Sequence, residues 1–292
     1  MEQLGESRVP LPEVSGLSSM PGAGEDGGDL LVALGDDRVA LALATCHGPE
    51  IGEWLVITAE EVGAHPGYED IATQLEAVAL DGRGRAWLLT EGTSLLGGID
   101  LASRTIVSRA ALDTSPIPEL HKEWMRKHAS RGEGILLLRG GHLLVAKEKH
   151  PAGLVELGPE GDAAAGVDAS TLLGDDEGWQ EPPADLVALA WWPWDDESTA
   201  AMTDISDLAP DHRGGVWVLS DEGRCLAELV LPLVPGSSSP AVRRLQRLPH
   251  HIAKPEGLAF LGADVVAVAD DFKDKGKDKH RANVTVLRLA DG

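Results

Sequence analysis

The sequence has few cysteines, few basic residues and no long hydrophobic run. Its 292 residues include only two cysteines, Cys46 and Cys225, which are too few for a disulfide framework and are not spaced as zinc ligands. The N-terminal residues lack the basic start and the apolar run of a signal peptide. No stretch approaches the roughly 18 uncharged apolar residues that a membrane-spanning helix needs. These absences predict a cytoplasmic protein.

The shortage of basic residues is the clearest compositional signal. Lysine and arginine total 25 against 48 aspartates and glutamates, which gives a formal net charge of −23. A surface this acidic repels nucleic-acid phosphates and anionic lipid headgroups, so we expect neither nucleic acid nor a membrane as a partner. Metal cations, or small molecules that carry positive charge or many hydroxyls, suit such a surface better. Alternatively, the acidity only maintains solubility. The sequence indicates no particular protein partner.

One pattern occurs five times along the chain. In each copy a short apolar run begins at an acidic or small residue, a glycine-rich turn follows, and a second apolar run ends in acidic residues. Further strand-like runs follow in each copy. Four short strands per repeat, separated by turn signals, are typical of a β-propeller blade rather than of a helical solenoid or a βαβ unit. The copies begin at Ser15-Gly16, Glu76-Ala77, Glu133-Gly134, Ser206-Asp207 and Glu256-Gly257.

These repeats predict an all-β fold, a single β-propeller domain over residues 1–292 with five four-stranded blades. The last copy has only three strands, so we expect the N-terminal segment around residues 7–10 to close the propeller as the fourth. The interval between the third and fourth copies is the longest, which leaves six blades as an alternative. With five blades, residues 162–184 are mostly loop and residues 186–192 form an outer strand. Residues 118–129 have the spacing of a short helix.

The repeat also predicts where acidic side chains meet. In a propeller blade the first strand starts and the second strand ends at the same face, and both places are acidic here. The carboxylates would surround one channel mouth, where calcium, nearby lysines or backbone N–H groups would compensate their charge. For Trp194 two roles are open: it packs between blades, or it forms an aromatic wall of a ligand site. The candidate ligand-binding residues are Glu76, Glu91, Glu133, Lys147, Glu148, Asp207, Asp221, Glu256, Asp270 and Trp194. The candidate metal ligands among them are Glu76, Glu133, Glu148, Asp221 and Glu256, with calcium as the candidate cofactor.

Three segments carry a family resemblance. They are EGILLLRGGHLLVAKEKHPAGLVEL at residues 133–157, ISDLAPDHRGGVWVLSDEGRCLAEL at 205–229 and PEGLAFLGADVVAVADD at 255–271. They resemble the SdiA-regulated family of bacterial β-propellers, clearly over residues 133–289 and weakly over the first 110. The resemblance implies a propeller fold but no defined activity. Members of that family are usually expected to be exported or membrane-anchored, a feature with no counterpart in this sequence. A more distant likeness, to phytase-like propellers, implies calcium at an acidic face and hydrolysis of phosphate esters.

Three functions fit the sequence. The first, which we favour, is a non-catalytic propeller that binds a small ligand or metal cation at the acidic channel mouth. The second is a calcium-dependent hydrolase of the phytase-like phosphoesterase type, although no basic cluster is present to receive an anionic phosphate. The third is a protein-interaction scaffold. No nucleophile elbow, P-loop, dinucleotide-binding fingerprint or HExxH motif occurs, so the sequence indicates no particular reaction and whether the protein is an enzyme stays open.

Overall fold

The structure, a computed structural model, is built mainly from β-strands, with few helical residues. It describes residues 1–11, 13–35, 40–63, 71, 74–90, 93–126, 131–182, 185–194, 202–237, 239–271 and 283–290. Its short helices include α1 (Ala59–Gly63) and α2 (Pro118–Trp124). Helix α2 confirms the first part of the helix predicted over residues 118–129, with proline in its first turn and with Leu120 and Trp124 buried one turn apart. It ends at Trp124, and residues 127–129 lie outside the described residues. No helix in the described ranges is long and apolar enough to cross a membrane.

The strands follow one another in groups that we call units 1 to 5. The N-terminal strand β1 (Glu2–Ser7) belongs to unit 5. Unit 1 contains β2 (Val14–Met20), β3 (Asp29–Gly35), β4 (Leu41–His47), β5 (Glu50–Ile51) and β6 (Leu55–Ile57). Unit 2 contains β7 (Leu75–Asp81), β8 (Arg85–Thr90), β9 (Leu95–Asp100) and β10 (Thr105–Asp113). Unit 3 contains β11 (Gly132–Leu137), β12 (Leu143–Lys147), β13 (Gly153–Pro159) and β14 (Leu186–Pro193). Unit 4 contains β15 (Asp207–Pro210), β16 (Val216–Ser220), β17 (Cys225–Leu229) and β18 (Val242–Arg247). Unit 5 contains β19 (Pro255–Phe260), β20 (Val265–Asp270) and β21 (Val284–Arg288).

Neighbouring strands within each unit pair antiparallel, and the units meet in two ways. The outer strands β10 and β14 pair in parallel, which joins units 2 and 3 into one eight-stranded sheet. The first strands β2, β7, β11, β15 and β19 pack against one another in a closed cycle. Strands β12 and β16 are buried along their whole length, as expected for strands covered on both faces, whereas β14 alternates between buried and partly exposed residues. The fold is all-β and of the propeller type.

The N-terminal strand completes the last sheet, as the sequence predicts. Strand β1 pairs antiparallel with β21, with Glu2 opposite Arg288 and Ser7 opposite Val284. The paired segment therefore ends where the predicted one, residues 7–10, begins. The backbone N–H of Val9 continues the contact by donating to Asn283 Oδ1 at 2.8 Å.

The long interval between the third and fourth repeats is a loop excursion. No extended strand forms between β13 and β14 in the described residues, where only isolated bridges such as Leu138 with Leu172 occur. Strand β14 then pairs antiparallel with β13 as the outer strand of unit 3. Two fully buried side chains fix the loop to the rest of the protein: Glu156 of β13, and Trp179 of the loop itself. The predictions for residues 162–184 and 186–192 are therefore confirmed; residues 183 and 184 lie outside the description.

Small residues allow the five first strands to meet at the centre. A Cβ on Gly134 would lie only 2.6 Å from the backbone nitrogen of Leu208, and one on Gly257 only 2.9 Å from that of Leu17. Gly16 and Ala77 hold the same repeat position in units 1 and 2, but unit 4 has Asp207 there. This layer of small residues lies between two cavities, one on each side.

Candidate functional site

An acidic cavity lies at the face where the first strands begin. Its volume is about 270 Å³, and residues of all five units line it. Two lysines and eight carboxylates contribute, so the cavity carries an excess of negative charge. All five residues that the sequence suggests as metal ligands are among its lining. The lining residues are Glu13, Val14, Ser15, Glu76, Glu133, Glu148, Lys149, Asp204, Ser206, Asp221, Lys254, Glu256 and Asp271.

A repeated β-bulge places one lining residue in each of four first strands. In β2 the register with β3 shifts between Val14 and Gly16, which leaves Ser15 as the extra residue. The same shift leaves Glu76 as the extra residue in β7, Glu133 in β11 and Glu256 in β19. A bulge turns a side chain out of the regular alternation of a strand and is common beside functional sites. The repeated bulge thus delivers three glutamates and a serine to one cavity.

Unit 4 departs from this arrangement and corrects one sequence prediction. Strand β15 begins only at Asp207, and the preceding Ser206 takes the lining position. The Asp207 carboxylate lies in the central layer instead and accepts the backbone N–H groups of Leu208 and Leu258, both at 2.7 Å. Burial raises the pKa of Asp207 well above its ordinary value, against these hydrogen bonds. Asp207 is therefore wrong as a residue of the channel mouth, because it occupies the repeat position that is glycine or alanine elsewhere.

Lys254 connects two carboxylates of the cavity. Its Nζ lies 2.7 Å from Glu256 Oε1 and 2.7 Å from Asp271 Oδ2. Burial raises the pKa of Glu256 to about 7, although the bond to Lys254 lowers it. Burial lowers the pKa of Lys254, but its bonds to Asp271 and Glu256 outweigh that effect and hold the pKa above its ordinary value. The side chain of Asp271 is only 7% exposed, and its Oδ1 is buried with no hydrogen-bond partner among the described residues.

Lys149 forms the second cationic centre of the cavity. Its Nζ lies 2.6 Å from Glu148 Oε1 and 3.6 Å from Glu222 Oε1. The three groups come from two units, because Glu148 and Lys149 follow β12 whereas Glu222 follows β16. The cavity therefore already holds two ammonium nitrogens by means of carboxylates.

Asp221 lies within the electrostatic reach of both lysines. Burial and the nearby Asp204 raise the pKa of Asp221 to about 6, while Lys254 and Lys149 lower it. The Asp221 carboxylate accepts no hydrogen bond and forms no ion pair with a described residue. Asp204, in contrast, is saturated: it accepts the hydroxyl of Ser220 and two backbone N–H groups of the following turn. Asp221 therefore remains able to accept a donor from a ligand.

The raised pKa of Glu256 predicts that stability falls as pH rises. Below pH 4.5 the Glu256 carboxyl is protonated in both the folded and the unfolded state. Between pH 4.5 and about 7 this carboxyl ionises in the unfolded state but not yet in the folded state, which stabilises the unfolded state relative to the folded one. We expect the free energy of unfolding to fall over this window, on the order of 3 kcal/mol from this group. The Glu256→Gln variant should lose this part of the pH dependence and be the more stable protein at pH 8. Urea unfolding of both proteins at pH 4.5, 6 and 8 measures it, and equal pH profiles would contradict the prediction.

Two further predicted residues serve the structure and do not line the cavity. The Lys147 side chain is buried, and its Nζ donates to the carbonyl oxygens of Lys149 and Pro151. Burial lowers the pKa of Lys147 to about 8. The Asp270 carboxylate accepts the backbone N–H of Lys254 at 2.6 Å and so fixes the turn before β19. Both residues lie at the ends of second strands, where alternation turns them away from the cavity.

The remaining two candidates also fall outside the cavity. Trp194 is 6% exposed and packs in an apolar cluster of units 3 and 4, so it belongs to the core rather than to a ligand wall. Glu91 lies outside the described residues. Among the residues that the structure does describe, no group of three or more histidine, cysteine, aspartate or glutamate side chains is arranged to hold a metal ion. The five suggested metal ligands nevertheless line one cavity.

The structure adds lining residues that the sequence did not suggest as site residues. Ser15 and Ser206 hold the repeat position that is glutamate in the other units, so alignment of the repeats contains their signal. Asp271 directly follows Asp270, and only the register of β20 decides which of the two faces the cavity. Glu13 and Asp204 precede their first strands, outside the repeat, and carry no sequence signal.

A second cavity, of about 240 Å³, lies beyond the central layer at the opposite ends of the first strands. Its lining includes the apolar residues Leu17, Val78, Ile135 and Leu258. Several polar side chains in its lining are used internally: Arg139, for example, bonds Glu177 at 2.8 Å. All five suggested metal ligands line the acidic cavity instead.

Solved structures of similar fold cover almost the whole chain. The PQQ-bound aldose sugar dehydrogenase of Streptomyces coelicolor matches with a TM-score of 0.53 and 12% identity, over 98% of this chain and 97% of that one. The calcium-binding protein regucalcin of Agrobacterium tumefaciens gives 0.52 and 10%, over 98% and 94%. A putative glucose dehydrogenase of Thermus thermophilus gives 0.51 and 16%, over 99% and 100%. At these identities the likeness shows the fold alone.

No curated protein sequence matches the chain significantly. The family model described as SdiA-regulated matches residues 66–268, which is more than half of the chain. The match includes the first two segments with the family's motifs and the third up to residue 268. Four of the five bulged or equivalent lining positions fall within that range. The chain belongs to the SdiA-regulated family.

Proposed function

We propose that the chain is a single five-bladed propeller domain over residues 1–292 and that it binds a small molecule at the acidic cavity without converting it. Units 1 to 5 correspond to the blades, because their first strands form one closed cycle. The observation that carries the binding function is the repeated bulge. Regular strands would alternate past this position, yet four units turn a serine or glutamate into the same cavity.

The charge of the cavity favours a ligand that donates hydrogen bonds. Its carboxylates exceed its lysines by a wide margin, and burial keeps some of that charge away from water. A bound donor or cation would relieve the repulsion between them. Calcium, our candidate cofactor, is one of the compounds to be tested for binding, because proteins of similar fold include a calcium-binding protein and a PQQ-bound dehydrogenase. The absence of a ready three-ligand cluster in the described residues favours an organic ligand over a metal ion.

A thermal-shift experiment tests the proposed function. The wild-type protein is melted with calcium, magnesium, manganese and zinc, and with a panel of small amines, polyols and sugars. A ligand that binds only the folded state raises Tm by mass action, and we expect a rise of several degrees at 100 times Kd. The Glu133→Gln and Glu256→Gln variants should fold but lose the shift.

The matched control is Glu119→Gln, which changes an exposed acidic residue of α2 that does not line the cavity and should keep the full shift. Two results would contradict the proposed function. One is a Tm that no compound of the panel changes; the other is a shift that persists unchanged in both cavity variants.

A further inference from the structure

A serine of unit 1 holds the backbone of unit 2 beside a glutamate of the acidic cavity. The Ser15 hydroxyl donates to the carbonyl oxygen of Leu75 at 2.7 Å. Leu75 directly precedes Glu76, the extra residue of the bulge in β7. Further along the same strand, the backbone N–H of Leu80 donates to the hydroxyl oxygen of Ser18 at 3.2 Å. Unit 1 therefore holds β7 on both sides of Glu76.

Unit 4 holds unit 5 in the same way. The Ser206 hydroxyl donates to the carbonyl oxygen of Pro255 at 2.9 Å, and Pro255 directly precedes Glu256, the extra residue of the bulge in β19. On the other side of Glu256, the backbone N–H of Leu258 donates to the Asp207 carboxylate at 2.7 Å. Ser206 is buried, so its hydrogen bond is shielded from water. The same relation thus occurs twice, between two different pairs of neighbouring units.

The hydroxyls act where strand pairing ends. Each first strand lies at the end of its sheet and, among the described strands, pairs only with the second strand of its own unit. Buried carbonyls on its inner edge need another donor, and a serine of the preceding unit supplies one. This hydrogen bond fixes the plane of the peptide that joins Leu75 to Glu76, or Pro255 to Glu256. Because the plane includes the nitrogen of the glutamate, it limits the directions in which the glutamate side chain can leave the backbone.

A bulged glutamate needs this support more than a residue of a regular strand, because the extra residue of a bulge is unpaired in its own ladder. Lys254 bonds the Glu256 carboxylate, but the lysine side chain is itself 46% exposed. The Ser206 hydroxyl instead fixes Glu256 through the backbone. This hydroxyl also lies 3.4 Å from the carbonyl oxygen of Leu219. It has a single hydrogen, so the shorter contact with Pro255 is the stronger hydrogen bond.

Glu133 differs from the other two bulged glutamates, because no serine precedes it around the ring. The equivalent residue of unit 2 is Glu76, and an ionised carboxylate has no hydrogen to donate to a carbonyl. The five equivalent positions therefore comprise two serine–glutamate pairs and one glutamate that follows another glutamate. Glu133 is an internal reference for the effect of the serines.

We propose that Ser15 and Ser206 are positioning residues, which direct the carboxylates of Glu76 and Glu256 into the acidic cavity by fixing the peptide before each glutamate. The inference rests on the proposed function, since it describes how the same cavity keeps its ligand-binding carboxylates in place. The equivalent position thus has two roles. In units 2, 3 and 5 it supplies a carboxylate, and in units 1 and 4 it supplies the hydroxyl that orients the carboxylate of the next unit.

NMR of the side-chain carboxyl carbons tests this role without a ligand. The three signals are assigned by their loss in Glu76→Gln, Glu133→Gln and Glu256→Gln. Ser206→Ala should shift the Glu256 signal and leave the Glu76 signal in place, whereas Ser15→Ala should do the reverse. The Glu133 signal should stay in place in both variants, because no serine precedes it.

The titration of Glu256 gives a second readout. Burial raises the pKa of Glu256 to about 7. A side chain released from its fixed direction regains contact with water, so we expect the midpoint to fall by about one pH unit in Ser206→Ala. The other charged residues that act on Glu256 are Lys254, Asp221 and Asp271, and the variant leaves all three unchanged.

Two conservative variants separate the hydroxyl from the size of the side chain. Ser15→Thr keeps the hydroxyl at a partly exposed position, so the Glu76 signal should match wild type. Ser206→Cys has nearly the size of serine but is a weaker donor, so it should shift the Glu256 signal in the same direction as Ser206→Ala and by less. The cysteine variant replaces Ser206→Ala if the alanine variant does not melt cooperatively.

A purely structural role of the serines predicts a different result. The alanine variants would then lower the free energy of unfolding while the three glutamate signals stay in place or move together, and either pattern overturns the inference. The proposed function would stand in that case, because the thermal-shift experiment does not depend on the two hydroxyls. A Tm that no compound changes would contradict the proposed function, and the carboxyl signals would still decide whether the serines position the glutamates.

Discussion

Replacing Trp179 by alanine should destabilise the protein by about 3–5 kcal/mol, the range for a fully buried tryptophan. Trp179 has no exposed surface, and its Nε1 donates to the carbonyl oxygens of Leu138 at 3.0 Å and His142 at 2.9 Å. Its ring packs edge-on against Trp87 with 4.6 Å between ring centroids. The backbone N–H of Trp179 also donates to Asp81 at 3.2 Å, so this single residue ties the long loop to units 2 and 3.

Urea unfolding of wild type, Trp179→Ala and Trp179→Phe measures the effect. The phenylalanine variant keeps an aromatic ring but removes the indole donor, so it should fall between the other two proteins. A Trp179→Ala protein within 1 kcal/mol of wild type would mean that the loop does not depend on this anchor.

Replacing Glu156 by alanine should have an effect of similar size, about 3–5 kcal/mol, because it breaks a buried charged network. The Glu156 side chain is fully buried and lies 2.7 Å from Nδ1 of His142. It also accepts the backbone N–H groups of Ala165 at 2.7 Å and Gly166 at 2.9 Å. The hydrogen bond that His142 donates to the Glu156 carboxylate raises the pKa of His142, with burial acting against it. The alanine variant leaves a buried histidine and the backbone amides of Ala165 and Gly166 without their acceptor.

Amide hydrogen exchange distinguishes this cause from a general loss of packing. The amides of Ala165 and Gly166 should exchange much faster in Glu156→Ala, well before those of the strands. Glu156→Gln keeps an acceptor oxygen and the side-chain volume, so its free energy of unfolding should lie closer to wild type. Protection at both amides that matches wild type in the alanine variant would refute the proposed role of the carboxylate.

The architecture can be predicted from the sequence because each repeat has the same local sequence pattern. Turn glycines, apolar alternation and the missing strand of the last copy depend only on residues near one another in the chain. Even the pairing of β1 with β21 follows from counting strands. The loop before β14 is similarly evident, because residues 162–184 lack a strand period.

The detailed geometry of the cavity depends on contacts that the repeat does not encode. A bulge adds one residue to a ladder, and that addition decides whether Glu256 or its neighbour faces the cavity. In unit 4 Ser206 takes the lining position, and Asp207 enters the centre at the position that is glycine or alanine in the other units. Its hydrogen bond to Leu258 comes from a different unit and has no local signature.

Single residue types mislead in the same way. Lys147 follows a motif rich in charge, yet its ammonium group is buried against carbonyl oxygens of the next turn. Trp194 stands beside acidic residues in the sequence, yet the chain turns it into the core. In both cases the direction of the side chain is set by the register of a strand with its neighbour, which a single sequence does not display.

The pairing of the first and last strands has a consequence for how the molecule assembles. Glu2 and Arg288 are 286 residues apart and yet form an ion pair across β1 and β21. Closing a loop between such distant residues costs chain entropy, so we expect these contacts to form late in folding. Until β1 arrives, β21 presents an open edge to solvent and to other chains. Strand β1 itself, EQLGES, is mostly polar and has no fully buried residue, so while unpaired it exposes little apolar surface that would promote aggregation. The ring therefore stays open at β21 until β1 pairs with it, and closure of the sheet depends on that one strand.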